Sequence, residues 1–169
     1  MLIVPAGDPW QKTDLVVTPA QQRFEICRLA VDQVDGLDAD DREITRAGPT
    51  YTADTLDTFP EDEELFMVVG SDALAGLHTW HRWEAVASRV TILVAPRPGA
   101  PIADEHDQVL DMSQLDVSST DIRKRAADGR PYRFLVTAPV HEYIETHGLY
   151  RKSGRNDMVE RSSAAEDQS

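Results

Sequence analysis

The sequence predicts an α/β fold in which a parallel sheet is flanked by helices, and three observations predict it. Short apolar runs at residues 2–4, 65–69 and 90–95 have the length and composition of buried strands. Each run stops at turn chemistry: Pro5-Ala6-Gly7-Asp8-Pro9, Gly70-Ser71-Asp72 and Pro96-Arg97-Pro98-Gly99. Helix-forming segments lie between the runs, and strands that alternate with helices pair in parallel.

Taken in order, Leu2-Ile3-Val4 opens the chain as a strand. Residues 21–34 read as an amphipathic helix, with Phe24, Cys27, Val31 and Val34 at helical spacing and Arg23, Glu25, Arg28 and Asp32 between them. Thr18-Pro19 suits its cap and first turn. Residues 40–46 are expected to form a polar edge strand or loop, and 52–59 a helix that Pro60 ends. The strand at 65–69 leads into a helix at 72–77, a further turn or two at 84–88, and the strand at 90–95. Residues 100–115 are acidic and irregular, with a weak strand near 109–112. Ser118-Ser119-Thr120-Asp121 opens a helix to about residue 128, and 140–147 form a last helix stopped by Gly148. Residues 1–150 are expected to form one domain. Residues 151–169, poor in apolar side chains and rich in Ser, Asp and Glu, are expected to be a disordered tail.

Composition narrows the function classes. The chain has 169 residues, 41% of them hydrophobic, enough for a core. Its formal net charge of −13 argues against duplex nucleic acid and anionic membranes, which demand a cationic face. A nucleotide stays open, because a few local cations can hold a phosphate. A single cysteine, Cys27, excludes an intrachain disulfide and suits a reducing, cytoplasmic setting. No apolar run approaches membrane-spanning length, and the start lacks the basic and long apolar parts of a signal peptide.

Four segments carry candidate chemistry. In the first, the strand at 65–69 releases Gly70 and Asp72 at its carboxyl end, where open α/β sheets hold ligands. Gly70 allows close approach to the backbone, Asp72 offers a carboxylate to ribose hydroxyls or to a metal, and Trp80 and Trp83 offer flat faces to a planar ring. Equally, Asp72 could serve as the helix cap and Trp80 as core. In the second, Val117 to Arg123, Ser118 and Asp121 have the spacing of a capping box. A helix N-terminus there suits a phosphate, with Arg123 one turn in; an ordinary capped surface helix reads the same way. In the third, Lys12 ends a Pro-rich loop and is either a phosphate partner or an exposed side chain. In the fourth, Gly48-Pro49 makes a turn before Tyr51 and Thr52, whose hydroxyl and N–H either bind a carboxylate or cap a helix. His78 and His81 have no Cys or HExxH-like companions, so no metal site is assigned; no P-loop, GxGxxG or GxSxG elbow occurs.

In this order the segments VPAGDPWQK (4–12), REITRAGPTYTADTL (42–56), VGSDALAGLHTWHRWE (69–84), VSSTDIR (117–123) and VHEYIETHGLY (140–150) resemble the nicotinate-nucleotide adenylyltransferases, a nucleotidyltransferase family of Rossmann-like α/β fold. The resemblance spans residues 2 to 150. It implies adenylyl transfer from ATP to nicotinate mononucleotide, giving nicotinate adenine dinucleotide and pyrophosphate in NAD synthesis, with Mg2+ assisting. It implies that Tyr51 and Thr52 help hold the nicotinate end, that Trp80 stacks on the pyridine ring, and that Gly70 and Asp72 meet the nucleotide bridge and ribose. Ser118, Ser119 and Arg123 would cradle the ATP phosphates, with Lys12 near the phosphate path.

The chain departs from the family in one respect. Members begin with a strand, a Gly-rich turn and a His-x-Gly-His motif whose histidines bind the ATP phosphates; no His-x-Gly-His occurs in this chain. Met1 falls at the family's second strand, so the first strand and helix are expected to be missing, either through a start assigned too late, the favoured expectation, or in a truncated paralogue. No catalytic residue is assigned, and the chain as it stands is expected to be weakly active or inactive. Sister readings are an adenylyltransferase for nicotinamide mononucleotide or phosphopantetheine, and a non-catalytic mononucleotide-binding paralogue. A homo-oligomer is left open.

Overall fold

The computed structural model describes residues 1–7, 18–99, 108–113 and 115–151. These residues divide into two compact units, Met1–Val117 and a second that begins at Ser118.

The first unit carries the strands. β1 (Leu2–Ile3) pairs in parallel with β2 (Asp38–Ala39), and α1 (Ala20–Val31) lies between them in sequence. β3 (Leu65–Gly70), β4 (Val90–Ala95) and β5 (Gln108–Val109) form a second parallel sheet in that order. The β3–β4 register runs without a slip from Leu65 opposite Val90 to Gly70 opposite Ala95. Parallel strands need a crossover. Here it is built from α3 (Ser71–Leu74), a 3-10 turn over Leu77–Thr79, and α4 (Trp83–Arg89).

β3 alternates as a half-covered strand should: Val69 is buried, whereas Phe66 and Val68 are 54% and 47% exposed. Val69, Val94 and Leu77 form a core cluster, against which Met67, Leu74, Ile92, Trp80 and Trp83 pack. The crossover therefore sits on the face that carries Val69, and the two tryptophans within it are tied to the sheet.

In the second unit, α5 (Ser119–Ala127) and α6 (Ala138–Thr146) bury Ala126, Val140 and Ile144, together with Tyr132 from the connection. Pro139 stands in the first turn of α6, where its missing N–H costs nothing.

Four expected elements differ in extent. α1 stops at Val31 rather than residue 34: the Val34 amide donates to the Val31 carbonyl in a turn that reaches left-handed Gly36, and Val34 is exposed. The edge strand falls at Asp38–Ala39, because the Asp40 carboxylate takes the Arg42 amide (2.9 Å) and guanidinium (2.8 and 2.6 Å) and turns the chain out of the ladder. The helix expected at 72–77 ends at Leu74, and Gly76 precedes the separate 3-10 turn, in keeping with the low helix propensity of glycine. The helix expected at 52–59 is α2 (Thr52–Leu56), continued by single turns in which Thr58 and Phe59 donate to Thr55 and Leu56. The expected tail lies, apart from Arg151, outside the described residues.

Candidate functional site

The first unit gathers most of its candidate residues around the end of β3 and the segment that follows it. Gly70 ends β3 at φ −71°, ψ 146°, a conformation open to any residue, so its small size matters for space and not for backbone freedom. A Cβ placed there would lie 2.4 Å from Asp72 Oδ1 and 3.1 Å from Arg97 Cδ. Asp72 is the second residue of α3, not its cap, and it faces Arg97 at 3.7 Å with both side chains about half exposed. The buried Ser71 accepts the Arg97 amide at 3.0 Å, which ties the loop after β4 to the start of α3. A carboxylate and a guanidinium are thus presented side by side at the carboxyl end of two adjacent strands.

Trp80 is half-buried; its amide donates to the Leu77 carbonyl at 2.9 Å, and its indole packs on the core cluster. The next residue, His81, lays its ring 4.4 Å from the Tyr51 ring at 35°. Tyr51 is the extended residue that caps α2, and Thr52 is the first residue of that helix. Neither Tyr51 nor Thr52 caps it through a side chain. Just before them, Thr50 is buried, and its Oγ1 has no hydrogen-bond partner among the described residues. A buried hydroxyl left unpaired costs about 1–3 kcal/mol. The residues 40–59 segment that carries Tyr51 is braced within itself: Arg42 bonds Asp40 and Thr58 and lies over the Phe59 ring at 3.9 Å, and the Thr55 hydroxyl donates to Glu43 at 2.6 Å. The Arg42 hydrogen bonds hold the Asp40 carboxyl below its usual range.

In the second unit, Ser118 is the extended N-cap of α5 and its Oγ accepts the Asp121 amide at 3.1 Å. The Asp121 carboxylate, by contrast, is taken by Arg125 at 2.6 Å, which with Arg130 holds it below the usual range. Ser119 is the exposed first residue of the helix, and Arg123, one turn on, is exposed and only weakly engaged, with Thr120 Oγ1 at 3.3 Å. A nine-residue helix thus offers free N–H groups and a guanidinium at one end. Among the described residues no three His, Cys, Asp or Glu side chains are grouped to hold a metal ion.

The family model described as cytidylyltransferase-like matches residues 1–125. A probable nicotinate-nucleotide adenylyltransferase of Bordetella petrii is 37% identical over 161 residues, covering 88% of this chain and 82% of that relative. One of Saccharopolyspora erythraea is 36% identical over 168 residues, covering 94% and 78%. The chain belongs to the nicotinate-nucleotide adenylyltransferase family. A solved structure of Plasmodium falciparum nicotinic acid mononucleotide adenylyltransferase complexed with NaAD matches with a TM-score of 0.70 at 16% identity, covering 88% of this chain and 81% of that one. That likeness carries the fold alone, and it agrees with the Rossmann-like class expected from the sequence.

Within this nucleotidyltransferase fold, Gly70, Asp72 and Trp80 follow one another around a single strand end, and Tyr51 meets the residue after Trp80. Ser118, Ser119 and Arg123 lie together at the start of α5. Lys12 lies outside the described residues. Sequence reasoning missed Arg97, His81 and Arg82. Arg97 stood only in a turn motif, and no local signal places it beside Asp72, 25 positions earlier. His81 and Arg82 were visible between the two tryptophans, but their partners, Tyr51, Asp54 and Asp57, come from a separate helix.

Proposed function

We propose that this chain binds nicotinate mononucleotide at the end of β3 and serves adenylyl transfer to it from ATP. The observation that supports this most directly is the Tyr51–His81 ring pair next to the half-buried Trp80. It gives a flat aromatic ligand walls fixed to a core, beside the Asp72 carboxylate for ribose hydroxyls and Thr52 for the ring's carboxylate. Relatives over most of the chain's length carry the adenylyltransferase name.

In the reaction a phosphate oxygen of the mononucleotide attacks the α-phosphorus of ATP. The bond from that phosphorus to the bridging oxygen of the β-phosphate breaks, and pyrophosphate leaves with the electron pair. The protein's part is to align two anions and spread the developing charge. Ser118, Ser119, Arg123 and the N–H groups of α5 are the residues we assign to the ATP phosphates, and Lys12 to the phosphate path. Magnesium would arrive on the triphosphate, held by its phosphate oxygens; the described residues do not build a carboxylate cage for it, and no step here depends on it. A cytoplasmic setting and a single domain over 1–150 belong to the same proposal. No helix among the described residues is long and apolar enough to cross a membrane.

Calorimetry on the 169-residue chain tests the reading, with nicotinate mononucleotide, nicotinamide mononucleotide and phosphopantetheine as probes. The acid mononucleotide is expected to bind tightest; equal or better binding of either other probe overturns the substrate assignment. The alternative outcome is a mononucleotide-binding protein without transfer. Pyrophosphate release separates the two. Slow release above the no-enzyme control supports the transferase, and tight mononucleotide binding with no ATP binding supports the alternative.

A further inference from the structure

We propose that Arg82 is a positioning residue for the mononucleotide pocket, clamping the Trp80–His81 turn against α2 through Asp54 and Asp57. Arg82 stands at φ 54°, ψ 43°, in the left-handed region that residues with a Cβ rarely adopt. Nothing in the ring-bearing turn itself requires an arginine there, and a glycine would meet no backbone penalty. What holds the residue is its surroundings. Its Nη1 reaches Asp57 Oδ2 at 2.8 Å and Asp54 Oδ1 at 3.3 Å, both on or at the end of α2. Its carbonyl accepts the amides of Ala85 and Val86 at 3.0 and 3.1 Å and so starts α4. The residue before it lays its ring on Tyr51, at the opposite end of α2 from Asp57. The residue after it, Trp83, packs on the core cluster.

One side chain thus bridges α2 to the start of α4, and the two ends of the short α2 are gripped by consecutive residues. The Arg82, Asp54 and Asp57 side chains are 45%, 39% and 58% exposed, so the ion pairs add little to overall stability. Their effect is geometric: without them His81 is expected to shift on Tyr51 and the wall beside Trp80 to loosen, while the flanking tryptophans stay on the core. The inference rests on the proposed function for the identity of the ligand, but not for the clamp.

The test compares Arg82→Gly, which keeps the left-handed backbone and deletes the clamp, with the exchanged pair Arg82→Asp with Asp57→Arg. Proton NMR follows the ring-current shift that Tyr51 imposes on the His81 ring. Calorimetry follows nicotinate mononucleotide and ATP separately. In Arg82→Gly the His81 shift is expected to collapse and mononucleotide affinity to fall about tenfold, with ATP affinity unchanged. The exchanged pair is expected to restore both. A His81 shift and a mononucleotide affinity that survive Arg82→Gly overturn the proposal, as does an equal fall in affinity for both nucleotides, the mark of general damage. If the unmodified chain binds no mononucleotide, the functional reading fails on its own. The NMR arm still decides the clamp, a retained shift overturning it and a lost one supporting it.

Discussion

The pocket side in the first unit and the start of α5 in the second solve two recognition problems by different means. Around Trp80, every candidate group is held by something distant in sequence: the indole by the sheet core, His81 by Tyr51, Asp72 by Arg97. At α5, the groups are held only by the helix they begin. Ser118 caps it, and Arg123 leaves it exposed. A flat ring is recognised by walls whose spacing must be set in advance, so its site is inseparable from packing. A phosphate is recognised by N–H groups and charge, which one helix end supplies alone. Losing an aromatic wall of the first region should therefore cost both binding and stability, whereas in the second region the two should be separable.

The largest expected effect breaks the first region. Trp80→Ala removes an indole that is packed on Val69, Leu77 and Val94 while part of the residue remains accessible. Stability is expected to fall by about 2–4 kcal/mol, toward the lower part of the range for large-to-small core changes. Mononucleotide binding should be lost with it. Denaturant unfolding and calorimetry on the same sample check the pairing; lost binding at full stability would mean that Trp80 is no part of the core.

Arg123→Gln tests the opposite prediction for the second region. Among the described residues the guanidinium bonds only Thr120, at 3.3 Å, and is exposed, so little structural weight rests on it. ATP affinity is expected to fall about tenfold, the order of a lost charge-assisted hydrogen bond, with the unfolding midpoint unchanged. A shift in that midpoint would show that the helix end is braced in a way the contacts do not reveal.

Tyr132→Phe examines what does stabilise the second unit. Tyr132 is buried and its hydroxyl donates to Glu145, which also pairs with Arg151 at 2.6 Å. Burial, then the bond to Glu145, pushes the phenol above its ordinary range, and the phenol and Arg151 hold the Glu145 carboxyl below its own. The phenol's contribution is complete below the ordinary tyrosine range and is lost as pH rises through its elevated folded value. The carboxylate's is present above the ordinary glutamate range and is lost as pH falls through its depressed folded value. Removing the hydroxyl should cost about 1 kcal/mol near neutrality and abolish the alkaline loss of stability, with nucleotide affinities unchanged. Unfolding curves at neutral and alkaline pH read both.

The same contrast sorts what the sequence could disclose. The cap of α5 was legible because Ser118 and Asp121 are three apart and the bond between them is local. The strands at 65–69 and 90–95 were legible because buried parallel strands are continuous apolar runs. Less legible was the end of α1: Val34 keeps the helical spacing, but the chain has already turned toward Gly36. Residues 40–46 read equally as an edge strand or a loop; they form turns, with the strand just before them at Asp38–Ala39, because the Asp40 carboxylate holds Arg42 in a turn. At the pocket, Trp80 and Tyr51 were visible as residue types. The groups that fix their spacing were not, because Arg82 and its aspartates lie 25 and 28 positions apart and only the fold makes them neighbours.

The smallest expected effect is the sharpest probe of the comparison, because it separates space from backbone. Gly70→Ala puts a methyl where Asp72 Oδ1 lies 2.4 Å away and Arg97 Cδ 3.1 Å away. At φ −71° the alanine is unstrained, and a glycine replaced at a compatible position gains about 0.4–1 kcal/mol through the unfolded chain. Against that, the carboxylate must rotate out of its place, and its half-exposed pair with Arg97 contributes little to hold it. Stability is therefore expected to stay level or rise slightly, while mononucleotide affinity drops about threefold, the order of one weakened hydrogen bond. Falling affinity at undiminished stability would put the Asp72 carboxylate against the ligand. Unchanged affinity would remove Asp72 from the site and leave recognition to the aromatic wall and Thr52.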